Sequence, residues 1–320
     1  MNKKAVFPGL VFLILFALTA CFQGQLQQEH YVVESFDDEI DFKVKVINAG
    51  KSIEITKYAG KKTEVRIPPQ IRNLPVTVIG PKSFYKNNLT GVTIPHTVTS
   101  VKYKAFQGNQ LARITIPSGV TSIEYMAFAE NKLTAVTIPD TVTSIGNWAF
   151  LDNQLTNVII PHGVTSIGGG AFRKNQLTGV TIPHSVTSLG DWAFAYNSLT
   201  RATIPDSVTF IGSFAFAANQ LTHVTIPPGV TAIEKGVFAR NNLTAVTIPQ
   251  RVTSIKEYAF AKNKLATVTI GANVALSRAA KPVSGKRKSF VFDDGFDDFY
   301  RKNKGKGGTY IYEKERWRTH

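Results

Sequence analysis

The feature that most constrains this chain is a 22-residue repeat that runs through its middle. Leu, Ile-Pro, Phe and Asn recur in phase, and the shared unit is L-T-x-V-T-I-P-x-x-V-T-S-I-G-x-x-A-F-x-x-N-x. The leucines of successive units are Leu89, Leu111, Leu133, Leu155, Leu177, Leu199, Leu221, Leu243 and Leu265. A repeat this long and this regular is typical of a solenoid, in which each coil contacts only its neighbours.

The letters of one unit predict the structure of one coil. Val92 and Ile94 lie two positions apart and face one way, whereas Thr93 faces the other way, as a strand requires. Pro95 then ends the strand because it has no N–H to donate. The β-branched residues 98–101 predict a second short strand, and the Ala-Phe pair that follows predicts a tight helical or 3₁₀ turn. The expected fold is a capped β-rich solenoid with a parallel sheet on one face and short strands and turns on the others.

The N-terminus has the features of an export signal. Two lysines precede an apolar stretch, 5–20, which is short for a membrane span and is interrupted by Pro and Gly. The stretch ends in Leu-Thr-Ala-Cys, which resembles the lipobox of bacterial lipoproteins, and Cys21 is the only cysteine of the chain. We predict a signal peptide over 1–20 and lipid attachment at Cys21. Ordinary cleavage nearby and an uncleaved anchor are the alternatives.

The segments that flank the repeats predict a tether and two caps. Residues 21–39 are rich in Gln and acidic residues and predict a lipid-proximal tether. Residues 40–88 predict an N-terminal cap, in which a β-hairpin precedes a degenerate repeat. The regular solenoid then occupies 89–270. Residues 271–320 predict a basic linker followed by an aromatic C-terminal cap.

The motif L-x-x-V-x-I-P-x-x-V-x-x-I-G-x-x-A-F-x-x-N resembles the BspA-like class of leucine-rich repeats over residues 63–270. In four coils a charged residue replaces the Gly of the Ile-Gly step: Lys102, Glu124, Glu234 and Lys256. Segments 57–68 and 299–310 are similar to the flanks of spirochaete leucine-rich-repeat lipoproteins. The resemblance implies a right-handed leucine-rich-repeat coil in a bacterial surface protein that adheres to host or neighbouring-cell proteins.

The sequence carries no motif of an enzyme or of a cofactor site. It contains no nucleophile elbow, Walker loop, Rossmann fingerprint or zinc-ligand spacing. The acidic residues within 293–298 lack the spacing of an EF-hand loop, and His162 and His184 on adjacent coils have no evident third ligand. We therefore predict no catalytic residue, no cofactor and no metal.

Two columns of the repeat vary in chemistry, while most other columns are fixed by packing. The column just before Ala-Phe contains Trp148, Trp192, Phe214 and Tyr258, and the third position of the first strand contains Arg113, Arg201 and His223. Trp and Arg often carry the binding energy of protein interfaces, so we predict that both sets contact a protein ligand. The alternative for the aromatic column is that it packs over the turns and shields them from water.

The sequence thus predicts an exported, lipid-anchored protein at the outer membrane or cell surface. The formal net charge of +15 favours acidic partners, although solubility alone would also account for it. We expect non-enzymatic binding of proteins, with host extracellular proteins as the ligands that the resemblance implies, and no binding of nucleic acid. The alternative is a structural role, as an envelope scaffold or through self-association.

Overall fold

A computed structural model describes residues 35–277, 291–292, 295–313 and 316–320, and residues 36–320 form one compact unit. The predicted signal peptide, Cys21 and most of the predicted tether and basic linker lie outside the described residues. No helix within the described ranges has the length and apolar character needed to cross a membrane.

Short β-strands make up most of the regular structure. After a 3₁₀ turn at Glu39–Asp41, the N-terminal strands are β1 (Phe42–Ile47), β2 (Ser52–Tyr58), β3 (Glu64–Arg66), β4 (Gln70–Ile71) and β5 (Leu74–Ile79). The coils contribute β6 (Gly91–Thr93), β7 (Ser100–Val101), β8 (Arg113–Thr115), β9 (Ser122–Ile123), β10 (Ala135–Thr137), β11 (Ser144–Ile145), β12 (Ser166–Ile167), β13 (Gly179–Thr181), β14 (Ser188–Leu189), β15 (Arg201–Thr203), β16 (Phe210–Ile211), β17 (Ala232–Ile233), β18 (Ala245–Thr247), β19 (Ser254–Ile255), β20 (Thr267–Ile270) and β21 (Ala275–Leu276). The C-terminal elements are α1 (Phe296–Lys302), β22 (Gly308–Glu313) and β23 (Arg316–Thr319).

Both strand segments of the repeat form parallel ladders, and the second segment forms the longer one. The second-segment strands extend one sheet in the order β1-β2-β5-β7-β9-β11-β12-β14-β16, with equivalent residues paired, as in Ser144 with Ser166. The first-segment strands pair only in short groups, such as β8 with β10 and β13 with β15. Residues 157–159 and 223–225 form no strand, so the first-segment ladder is interrupted there. The second-segment ladder breaks between β16 and β17, and β17, β19 and β21 form a separate sheet.

A layer of hydrogen-bonded turns accompanies the longer, second-segment ladder. In the turn that follows each second strand, backbone N–H groups donate to the next or the preceding coil, as in Gly146 N to Ile123 O at 2.8 Å and Phe150 N to Ala171 O at 2.8 Å. These hydrogen bonds recur from coil to coil and join neighbouring Ser-Ile segments at the spacing of paired β-strands. The Ala-Phe segments form hydrogen-bonded turns, and they do not form the helical or 3₁₀ turns that the sequence predicted.

A stack of phenylalanines forms the centre of the core. The rings of Phe84, Phe106, Phe128, Phe150, Phe172, Phe194, Phe216, Phe238 and Phe260 are completely buried. Neighbouring centroids are 5.0 to 5.8 Å apart, in the range that aromatic pairs prefer. Tyr58 continues the stack at one end and Phe292 at the other, so the caps extend the core of the coils.

A buried asparagine ladder joins each turn to the next coil. In a typical coil, Asn153 Oδ1 accepts the N–H of Leu133 at 3.0 Å, and its Nδ2 donates to the carbonyls of Phe128 and Phe150. The same pattern recurs at Asn109, Asn131, Asn175, Asn197, Asn219, Asn241 and Asn263. These side chains therefore satisfy backbone groups that the turns would otherwise bury unpaired.

Candidate functional site

The aromatic column of the sequence occupies a left-handed backbone position in every coil. The φ angles are 60° at Trp148, 62° at Trp192, 59° at Phe214 and 61° at Tyr258. The N–H of each of the first three residues donates to a carbonyl of the next coil, so the turn is fixed on both sides. Because the backbone conformation repeats, the side chains leave the turns in the same direction and form a row across neighbouring coils.

Glycine at this position makes room for an aromatic ring from the preceding coil. A Cβ at Gly170 would collide with the six-membered ring of Trp148, and a Cβ at Gly236 would collide with the ring of Phe214. Each ring therefore lies across the glycine that follows it. At these two places the ring position requires glycine in the following coil, whereas Trp192 is followed by Phe214, on which it stacks.

Arg173 lies in the gap that Gly170 leaves between two tryptophans. Its guanidinium carbon is 5.6 Å from the ring centroid of Trp148, 4.9 Å from that of Trp192 and 5.3 Å from that of Tyr196. A cation within about 6 Å of an aromatic face gains about 0.5–2 kcal/mol, depending on its exposure. We call Trp148, Arg173, Trp192, Tyr196 and Phe214 the aromatic–arginine cluster.

The C-terminal part of the cluster, Trp192 and Phe214, packs against small residues. Trp192 stacks on Phe214 with centroids 4.2 Å apart and ring planes 15° apart. Both rings pack against the buried methyl groups of Ala195, Ala217 and Ala239. Trp148, Trp192 and Phe214 are all half-buried, so they both cover the turns and present ring edges to solvent. The packing role and the contact role predicted from the sequence are therefore compatible.

Not all predicted site residues come together. Tyr258 lies two coils beyond Phe214 and is 37% exposed, with Lys235 Nζ 5.9 Å from its ring centroid. Another aromatic pair lies nearer the N-terminus, where the rings of Tyr103 and Tyr125 stack with their centroids 5.5 Å apart. The structure thus unites three of the four predicted aromatic residues and leaves Tyr258 separate.

The predicted polar contacts lie on the first-strand face. Arg113 and Arg201 are exposed in β8 and β15, and His223 is exposed in a coil without a first strand. Arg201 borders a groove of about 620 Å³ together with Ile159, which is 79% exposed. These residues and the aromatic–arginine cluster belong to different parts of the coil and do not form one site.

Two members of the cluster were missed by the sequence prediction. Arg173 occupies a column that is alanine in the four following coils, Ala195, Ala217, Ala239 and Ala261. Tyr196 lies four residues after Trp192, in another column. Two features could have identified Arg173. It is a cation in a column that is alanine in the following coils, and it lies three residues after Gly170, which separates Trp148 from Trp192 in the aromatic column.

One carboxyl group has a strongly shifted pKa, and its role is structural. Burial raises the pKa of Asp297 to about 6, against the opposing effect of hydrogen bonds from the backbone N–H groups of Val291 and Phe292. Asp297 thereby holds the segment that places Phe292 on the phenylalanine stack. Within the described ranges, no group of three or more His, Cys, Asp or Glu side chains is placed to hold a metal ion.

Comparison with known proteins agrees with this architecture. A family model described as BspA type leucine rich repeat region matches residues 77–200 and 166–278. The crystal structure of the T. pallidum leucine rich repeat protein TpLRR is 31% identical, covers 57% of this chain and 88% of that chain, and has a TM-score of 0.53. The repeat match and this structure confirm the predicted solenoid.

Two further crystal structures are similar over larger parts of the chain. A leucine rich cell surface protein from Faecalibacterium prausnitzii is 24% identical over 73% of this chain and 88% of that chain, with a TM-score of 0.37. The pneumococcal vaccine antigen PcpA is 18% identical over 73% of this chain and 80% of that chain, with a TM-score of 0.45. No curated protein sequence matches this chain significantly.

Proposed function

We propose that this chain, which belongs to the BspA type leucine-rich-repeat family, is a lipid-anchored cell-surface protein that binds other proteins through its aromatic–arginine cluster. Leucine-rich-repeat solenoids are typically non-enzymatic binding scaffolds, and the family suggests a protein that acts at the surface. An adhesin for host or neighbouring-cell proteins is the specific role that we propose within this class.

The observation that carries the proposal is the composition and rigidity of the cluster. Trp, Tyr and Arg are the residues that most often dominate binding energy at protein interfaces, and here they lie side by side over four coils. Their rings are already held by the turns and by the alanines beneath them. A partner would therefore lose little free energy in ordering this surface on binding.

The binding face can be tested with two matched double variants. Trp148→Ala with Trp192→Ala should weaken binding of a captured partner by more than tenfold, which corresponds to about 1.4 kcal/mol. Arg113→Ala with Arg201→Ala changes two exposed residues on the first-strand face and should leave binding within about twofold.

Because both tryptophans are half-buried, binding must be compared per folded molecule, with the folded fraction taken from thermal melts. If the first-strand variant loses the partner and the tryptophan variant retains it, the cluster is not the binding face.

Anchoring and export are tested separately from binding. Cys21→Ser should abolish labelling with palmitate and release the protein from the detergent phase into the aqueous phase, since two or more acyl chains are what hold such a protein on a membrane. Protease added to intact cells should remove the wild-type solenoid. Unchanged detergent partitioning of the variant would refute the lipid anchor, and protection from protease would refute surface presentation.

A further inference from the structure

The environment of Arg173 indicates what kind of partner group the cluster accepts. The guanidinium has Trp148 on one side and Trp192 and Tyr196 on the other. Contacts with three rings restrict the motion of the guanidinium, so part of the entropic cost of ordering an arginine has already been met in the free protein. The arginine is thus a preorganised donor and not a flexible surface cation.

The hydrogen-bonding capacity of Arg173 is unused. A guanidinium has five N–H donors, and the buried Nε has no hydrogen-bond partner in the described part of the chain. No described carboxylate lies within ion-pair distance of this guanidinium, and the neighbouring Lys174 forms an ion pair with Asp152 at 3.9 Å. The residue as a whole is half-buried, so part of it is exposed to solvent although Nε is not.

The surrounding charges favour one carboxylate over a polyanion. Lys174 and Asp152 form a pair, and Asp191, next to Trp192 in the chain, is exposed and accepts the N–H of Ser213. The two acidic residues offset the two cations, so this part of the surface has no large positive potential. A sulfated or phosphorylated polymer would meet repulsion from Asp152 and Asp191, whereas a single carboxylate matches a single guanidinium in a bidentate pair.

The surface next to Arg173 is apolar. Trp192 and Phe214 continue from the guanidinium as a stacked pair over buried alanines. A ligand whose carboxylate reaches Arg173 would therefore place its adjacent residues on these rings. The next such arrangement, Phe214 over Gly236, has Ala239 where the first has Arg173, so it offers the apolar surface without the cation.

We propose that Arg173 binds a single aspartate or glutamate carboxylate of a protein partner, presented by an extended segment with apolar residues on either side. This inference rests on the proposed binding function and adds the chemical class of its ligand. It makes Arg173 the residue that selects acidic segments, while Trp192 and Phe214 supply contact area that does not depend on charge.

The test uses the full-length protein in detergent and two labelled peptides. In the Leu-Glu peptide a single Glu is flanked on each side by Leu, and in the Leu-Gln peptide a Gln replaces that Glu, so the two differ only in one charge. Fluorescence anisotropy should show at least tenfold tighter binding of the Leu-Glu peptide. Arg173→Gln should remove that difference, and Arg173→Lys, which keeps the charge but not the planar fork, should recover only part of it.

A matched control and a readout without mutation keep the result interpretable. Arg240→Gln makes the same chemical change at an exposed arginine of the same turn layer and should leave the preference for Leu-Glu intact. In the wild-type protein, the Arg173 Nε–H signal in a ¹⁵N–¹H NMR spectrum should shift on addition of Leu-Glu but not of Leu-Gln. This second measurement applies even if Arg173→Gln lowers the folded fraction.

Several results would overturn the inference. Equal affinity for the two peptides, or no measurable binding of either, would do so. So would a preference for Leu-Glu that survives Arg173→Gln, or tighter binding of a heparin fragment or a phosphoserine peptide than of Leu-Glu. If captured partners are lost by the double tryptophan variant but kept by Arg173→Gln, the proposed binding function stands and the carboxylate inference fails. If the double tryptophan variant keeps its partners, the proposed binding face itself fails.

Discussion

Replacement of Asn153 should destabilise the solenoid more than its size suggests. The side chain is 6% exposed and bonds four backbone groups of two coils, the N–H of Leu133 and the carbonyls of Phe128, Phe150 and Leu151. Asn153→Ala leaves the buried N–H of Leu133 without its partner, whereas the carbonyls of Phe128 and Phe150 each lose one of two asparagine donors and keep the other, from Asn131 and Asn175. An unpaired buried donor costs about 1–3 kcal/mol and each of the two lost shared hydrogen bonds about 0.5–1.5 kcal/mol, so the expected loss is about 2–6 kcal/mol. That is a large part of the 5–15 kcal/mol that stabilises a typical domain.

Asn153→Asp separates the donor from the acceptor function. The variant keeps an oxygen for the Leu133 N–H, but its second oxygen faces two carbonyl oxygens where Nδ2 donated before. At neutral pH it should therefore be at least as destabilised as Asn153→Ala. Burial and the two carbonyls raise the pKa of the introduced carboxyl, so its stability should recover as the pH falls and the group protonates.

The measurement is urea denaturation followed by circular dichroism, with midpoints and slopes compared between variants. Asn157→Ala is the matched control, because Asn157 lies in the same stretch of chain but is exposed. It should change the free energy of unfolding by less than about 0.5 kcal/mol. A loss below about 1 kcal/mol for Asn153→Ala, or an Asp variant that is more stable than the Ala variant at pH 7, would refute the argument.

Three further predictions follow from the core, the turn layer and the C-terminal cap. Phe172→Ala should cost about 3–5 kcal/mol by denaturant midpoint, and Phe260→Ala should cost nearly as much because the cap extends the phenylalanine stack beyond it; a much smaller loss at Phe260 would contradict this. Gly170→Ala should cost about 1–2 kcal/mol through its left-handed backbone alone, and it should shift the fluorescence of Trp148 by displacing the ring; an unchanged emission spectrum would argue against the contact. The pKa of Asp297 is raised to about 6, above its usual value near 4. Between these two pH values the folded state holds a proton that the unfolded state releases. The free energy of unfolding should therefore fall by up to about 3 kcal/mol as the pH rises from 4 to 6. Urea midpoints of Asp297→Asn should lack this component, and a wild type that gains stability relative to this variant over that window would contradict it.

The sequence alone determined the repeat, the type of fold and the main core columns. Identical residues at a fixed 22-residue spacing must stack on one another when coils are stacked, so Phe172 has to meet Phe150 and Phe194. Alternation around Val92 and Ile94 indicated a strand, and the recurring Asn indicated hydrogen bonds within the turns. Such inferences succeed because they depend on local chemistry and on one translation that repeats along the chain.

Only the tertiary structure decided which ladder is longer and which side chains form the aromatic–arginine cluster. Both strand segments are β-branched and could pair, and the hydrogen bonds of the turn layer favour the Ser-Ile side. Arg173 was not recognised because its significance depends on the direction in which Trp148 leaves a left-handed turn and on the space above Gly170. Periodicity gives the column in which a residue lies. The rotation of its side chain towards a neighbouring coil depends on backbone angles and on the volumes of residues 22 positions away, which are fixed only when the coils pack.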